Sequence, residues 1–348
     1  MPLSRYNVPP PSPPGAAPLI WYARCPTLTA MGLVANRGVF AREFLREHVY
    51  VVSVRENSQA SVREGHLDHT LANLFREADA ATALWAHGLN ERSRLLAIGE
   101  TWHSVSIVTR PSQPIASLRD LAGHRLSVPK EAGPFSPARV RTLRAWETVL
   151  GVAGVAARDI EFAPVVADHP SVPFGDVARR EVEALLSGQT DVAVLFGAKG
   201  LELGRSAHLK EIHRFDAETI RSDPRLNGLV ELRALTVDRD LLDARPDLVE
   251  RLTGTLVEAA LWARDFPKEA VRQVASEGRV ETSDAEAAYG SLIADGAALG
   301  LEDSRLDALR GLETWLKSRH LLIDSHDVAS WLSPEVFAKA RGRLKAVA

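Results

Sequence analysis

The stretch Ile115-Ala116-Ser117-Leu118-Arg119-Asp120-Leu121-Ala122-Gly123-His124-Arg125-Leu126-Ser127-Val128 reads as a short helix, stopped by a glycine, that feeds an apolar strand. A second stretch repeats the pattern. A helix over 176–187 closes at Gly188, and Asp191-Val192-Ala193-Val194-Leu195-Phe196 follows as a strand apolar enough to be buried on both faces. Working outward, apolar strand-like runs keep alternating with amphipathic helical ones, which is the signature of α/β architecture. Strands are expected at 19–23, 49–54, 104–109, 160–165 and 229–237, and helices at 137–150, 248–265, 283–299 and 304–319. Segment 61–77 reads as a polar stretch passing into a helix, and Leu84-Trp85-Ala86 and Arg94-Leu95-Leu96-Ala97-Ile98 as leading toward another strand.

The block 106–230 looks like a complete α/β domain set between two flanks. We therefore expect a first, discontinuous domain made of 19–105 and 231–348, and a second made of 106–230. Two chain crossings would then leave a cleft between them, the usual place for a ligand. Residues 1–18, with Pro9-Pro10-Pro11 and Pro13-Pro14, read as a flexible proline-rich arm.

At 348 residues and 45% hydrophobic content the chain can bury large cores. A net charge of −3, with both signs interspersed, argues against nucleic acid and against a membrane surface as partners. No run approaches the roughly 18 apolar residues of a membrane span, and the arm lacks the apolar centre of a signal peptide. A single cysteine excludes an internal disulfide and suits a reducing compartment, so a cytoplasmic protein is expected.

That cysteine, Cys25, follows the strand-like Leu19-Ile20-Trp21-Tyr22-Ala23 and precedes Pro26 and a helix expected over 27–36. With Pro26 at its first position, the helix would have Cys25 as its N-cap, where unpaired N–H groups and the dipole favour a thiolate. Nucleotide-binding glycine loops, the paired-histidine metalloprotease motif and the hydrolase nucleophile elbow are all absent. His66 and His69 stand three apart but lack a third ligand, so neither metal nor cofactor is expected.

Three segments together resemble the type II periplasmic-binding-protein fold, the superfamily that includes sulfonate-binding and thiamine-precursor-binding proteins of ABC transporters. They are 115–128, 185–193, and the helix that opens with Arg245-Pro246-Asp247-Leu248-Val249. The first flank is similar to the 2'-hydroxybiphenyl-2-sulfinate desulfinase family of bacterial desulfurisation. It shares Cys25-Pro26, then His66 and, ten residues on, Arg76, while Leu261-Trp262-Ala263-Arg264-Asp265 matches a late helix. The resemblance implies a hydrolase that cleaves an aryl C–S bond and releases sulfite. Cys25 would be catalytic, His66 its neighbour and Arg76 the sulfinate anchor, with Tyr22 and Trp146 lining the substrate site. Where that family has two glycines after its arginine, this chain has Glu77-Ala78-Asp79, acids that must point away from a bound anion. The alternative implied by the fold is a binding protein that delivers a sulfonate or other organic anion to an ABC importer without chemistry.

Overall fold

The computed structural model describes residues 19–131, 135–167, 174–322 and 327–347. The proline-rich arm lies outside them. Eleven strands form in chain order: β1 (Leu19–Arg24), β2 (Tyr50–Ser53), β3 (Leu74–Asp79), β4 (Ser93–Thr101), β5 (Val105–Thr109), β6 (Arg125–Glu131), β7 (Glu161–Ala167), β8 (Val192–Phe196), β9 (Lys210–Phe215), β10 (Glu231–Asp238) and β11 (Leu299–Gly300). They make two mixed sheets with helices around them, one ordered β11-β4-β10-β3-β1-β2 and the other β7-β6-β8-β5-β9. The described chain divides into two compact units. The first holds residues up to Glu100, Leu232–Asp265 and from Asp295 on; the second holds Thr101–Glu231 and Phe266–Ala294.

In the first unit β1 runs parallel to both β2 and β3. After the long middle block, β10 returns antiparallel to β3 and takes the place between β3 and β4. Every residue of β10 is buried, including Glu231, Arg233 and Asp238. A central strand of this kind must supply partners for its charges from within the fold.

In the second unit β6 lies parallel to β7 and β8, and β5 pairs antiparallel with β8 and β9. The motifs that opened the sequence reading serve this sheet. Gly188 stops its helix at φ 80°, a conformation that favours glycine. Three residues on, Asp191 accepts two bonds from the Arg125 guanidinium, from Nε at 3.1 Å and Nη2 at 2.9 Å, and a third from the Arg125 backbone at 3.0 Å. That clamp ties the start of β6 to the start of β8. The expected helix at 118–123 is a single 3-10 turn, Leu118–Leu121, closed by a reciprocal Ser117–Asp120 capping box.

Four sequence-based expectations need correction. The stretch 61–77 holds a helix (Ala60–Gly65) and then β3, so Arg76 lies in a buried strand rather than on a helix. Leu84-Trp85-Ala86 sits inside the helix Ala80–Asn90, capped by Asp79. The segment 266–294 clusters with the second unit, not the first. There Asp284 pairs with Arg205, with Nη2 to Oδ2 at 2.8 Å, and the Ala288 carbonyl accepts from the Ser104 N–H at 2.7 Å.

The fourth concerns Trp146, expected at an aryl pocket. It is fully buried in the second unit's core among Val149, Leu126, Val128 and Val194, and its indole N–H donates to the Ser127 carbonyl at 2.8 Å. A tryptophan on the inner face of a long helix meets both its apolar and its polar needs there. Among the described residues, no helix is long and apolar enough to cross a membrane.

Candidate functional site

Cys25 directly follows β1 and is 8% exposed. The helix after it begins later than the sequence suggested, at Ala30, with Thr29 as N-cap accepting from the Gly32 N–H at 2.8 Å. Cys25 is therefore not the cap. The N–H groups of Ala30 and Met31 are taken by the Glu77 carboxylate, at 3.3 and 2.7 Å. The helix dipole is answered by Glu77 and gives no account of a reactive thiol.

A different cation faces Cys25. In the register of β1 with β3, Ala23 lies opposite Arg76 and Tyr22 opposite Phe75. Directly paired residues share a face of the sheet. Arg76 is 1% exposed, and its Nη1 donates to the carbonyls of His66 (2.5 Å) and Leu67 (2.9 Å). Its Nε and Nη2 have no hydrogen-bond partner among the described residues. Burial pulls the pKa of the guanidinium down to about 10, opposed first by the electrostatic influence of Cys25 and then by Asp68 and Asp79. Arg76 thus touches His66 through its backbone and Cys25 through its field.

His66 caps the end of the helix Ala60–Gly65. Its Nδ1 is held against the Arg63 carbonyl, which can only accept, so Nδ1 carries the proton and Nε2 keeps its lone pair. Burial, and then the nearby Arg76 charge, lower its pKa to about 4. The ring is neutral at ordinary pH.

The acids after Arg76 are accounted for. Strand alternation turns Glu77 to the opposite face, where it pairs with Arg233 in a wholly buried contact and caps the helix Ala30–Asn36. Asp79 caps the helix Ala80–Asn90 through the Thr82 N–H at 3.0 Å. Neither carboxylate is turned to the face that carries Arg76.

Tyr22, expected to line the site, lies on the sheet face opposite Arg76, its ring 5.0 Å from Phe40 and beneath the Arg24 guanidinium. The sequence reading missed His69 as a neighbour of Arg76. It is wholly buried, bonded through Nε2 to Thr236 at 3.2 Å, and its pKa is held well below the ordinary value by burial and then by the Arg76 charge. It also missed the Glu77–Arg233 pair, whose partners are 156 positions apart. Among the described residues no three His, Cys, Asp or Glu side chains gather as a metal site would need.

No family model matches the chain. Over 362 aligned residues it is 24% identical to a 2'-hydroxybiphenyl-2-sulfinate desulfinase of Rhodococcus erythropolis, covering 92% of this chain and 93% of that one. Among solved structures, a DSZB mutant in complex with biphenyl-2-sulfinic acid matches with a TM-score of 0.75 at 22% identity, covering 94% of this chain and 99% of the other. The periplasmic sulfonate-binding protein SsuA of Methylobacillus flagellatus KT matches with a TM-score of 0.68 at 16% identity, covering 95% and 96%. In fold the chain is thus similar to the periplasmic-binding-protein-like structures, and in sequence it is similar to the sulfinate desulfinases.

Proposed function

We propose that this protein is a desulfinase-like hydrolase that cleaves the C–S bond of an aryl sulfinate, with Cys25, His66 and Arg76 as its reacting site. The observation that carries the reading is the unpartnered edge of Arg76. Nε and Nη2 form the side of the guanidinium that grips two oxygens at once, as Arg125 grips Asp191 in this same chain. A buried cation with two idle donors is costly unless an anion completes it. A sulfinate presents two oxygens on one sulfur and fits that edge, which supports an anchoring role.

The overall change is R–SO2⁻ + H2O → R–H + HSO3⁻. In one route the Cys25 thiolate attacks sulfur and the aryl group leaves, taking a proton. Water then splits the S–S bond, returning the thiol and releasing sulfite. In the other route the thiol protonates the ring carbon while water adds at sulfur. Both need the Cys25 sulfur and a group that accepts a proton from water. His66 suits the second task through Nε2, and a bound anion would offset the Arg76 field and raise its basicity. A cytoplasmic location is part of this proposal, in keeping with a lone thiol that must stay reduced.

The likeness to sulfonate-binding proteins favours a second reading, capture of an organic anion for an importer, in which Arg76 binds and nothing reacts. A sulfite-release screen over aryl and alkyl sulfinates separates the two. Release by the wild type that vanishes in Cys25→Ser, with sulfinate binding retained, supports the hydrolase. Tight binding without release by either protein, or equal release by both, overturns it.

A further inference from the structure

Adjacent residues of β3 point to opposite faces, and here both are buried charges with different duties. Arg76, with its idle edge, stands on the face that carries Ala23, two residues before Cys25. Glu77 turns to the other face and holds the first N–H groups of the helix that follows Cys25. The segment from Cys25 to Thr29 is therefore tethered at both ends to the same two positions of β3. At its start Ala23 is paired with Arg76, and at its end Ala30 and Met31 bond to Glu77. Arg233 of β10 closes the arrangement by pairing with Glu77 and donating to the Gly296 carbonyl. Space for it comes from Gly99, where a Cβ would lie 2.7 Å from Arg233 Nη2.

We propose that Glu77, backed by Arg233, is a positioning residue that holds the Cys25 segment so that the thiol stays in the field of Arg76. Three groups on two elements, the N–H groups of Ala30 and Met31 and the Arg233 guanidinium, meet at the Glu77 carboxylate, and all four residues are fully buried. A cap alone needs no buried arginine, since a short side chain such as Thr29 suffices for a helix of this length. The added ion pair makes the carboxylate's position a property of the sheet. The proposal rests on the reading of Cys25 and Arg76 as a reacting pair, but its primary readout does not need turnover.

Cys25 is the chain's one cysteine, so its alkylation by iodoacetamide is read from whole-protein mass. The alkylation rate is followed against pH in wild type, Glu77→Ala, Glu77→Gln and the doubly neutral Glu77→Ala/Arg233→Met. Benzenesulfinate binding is titrated alongside. Freed from its tether, the thiol leaves the Arg76 field, and the alkylation midpoint of Glu77→Ala rises by about half a unit or more. Benzenesulfinate affinity stays within about threefold, because Arg76 keeps its own carbonyl anchors. Glu77→Gln, which retains an acceptor oxygen for the helix, restores most of the wild-type profile. The double variant leaves no unpaired charge buried and serves where Glu77→Ala does not fold.

A folded Glu77→Ala or double variant with a wild-type alkylation profile overturns the proposal, whatever its melting temperature. Where sulfinate is turned over, a drop in kcat of about tenfold or more with KM within threefold is expected in Glu77→Ala. Absence of turnover in every protein would sink the desulfinase reading and leave the alkylation result to judge Glu77.

Discussion

Arg76 connects the residues of the candidate site, since its charge is the common influence on Cys25, His66 and His69. That gives it two separable effects, a fork for oxygens and a field on imidazoles. Arg76→Lys keeps the charge but loses the two-pronged edge. Benzenesulfinate affinity should fall by about 10- to 100-fold, the worth of one or two charge-assisted bonds. Arg76→Gln removes the field as well. The His66 pKa should then climb above about 4 yet stay below its ordinary value, because burial remains its first cause. NMR titration of His66 in the two variants checks this. A His66 midpoint equal in Arg76→Gln and wild type would show that the guanidinium does not act on the ring.

At the scale of elements, the second unit was legible because its signals are local. A glycine stop, a capping box and an apolar strand each sit within a dozen residues, so 115–128 and 185–196 reveal the sheet they build. β3 was not legible. Its Leu-Phe-Arg-Glu-Ala-Asp sequence places charges on both faces, which defeats any alternation of apolar and polar residues. Those charges are tolerable only through Arg233 and the helix after Cys25, partners remote in sequence. The start of that helix was misplaced for the same reason, because the group capping it comes from β3. Cys25, His66 and Arg76 became candidates through the resemblance to the desulfinases, which carried no information about their surroundings.

Trp146 shows the converse error, an aromatic assigned to a pocket when the inner face of its helix required it. Trp146→Ala should cost about 3–5 kcal/mol of stability, as loss of a large core side chain with a satisfied indole. Chemical denaturation measures the cost. The Cys25 alkylation profile should not change, whereas a change without destabilisation would return Trp146 to the site.

Across the whole molecule, holding imidazoles beside a buried guanidinium fixes how stability responds to acid. His66 and His69 have folded pKa values below the unfolded value of 6.5, His66 at about 4 and His69 well below its ordinary value. Between those limits the unfolded chain binds protons that the folded one refuses, so stability is present in full above pH 6.5 and is lost as pH falls. Each such proton contributes about 1.4 kcal/mol per pH unit within the window. Asp238 has the opposite sign. Burial raises its pKa above 3.8, so protonation relieves the folded state and offsets part of the loss only at the acid end. The Tm should therefore hold near pH 7 and decline from about pH 6.5 to pH 5, above the range in which most carboxylates titrate. His69→Asn tests the source, because asparagine tolerates the positive φ of 60° found there and removes the titrating group. Calorimetry should show its Tm declining about half as steeply over that interval. An unchanged slope would assign the acid sensitivity to groups outside this site, and a flat wild-type profile would mean that neither imidazole is held neutral by the fold.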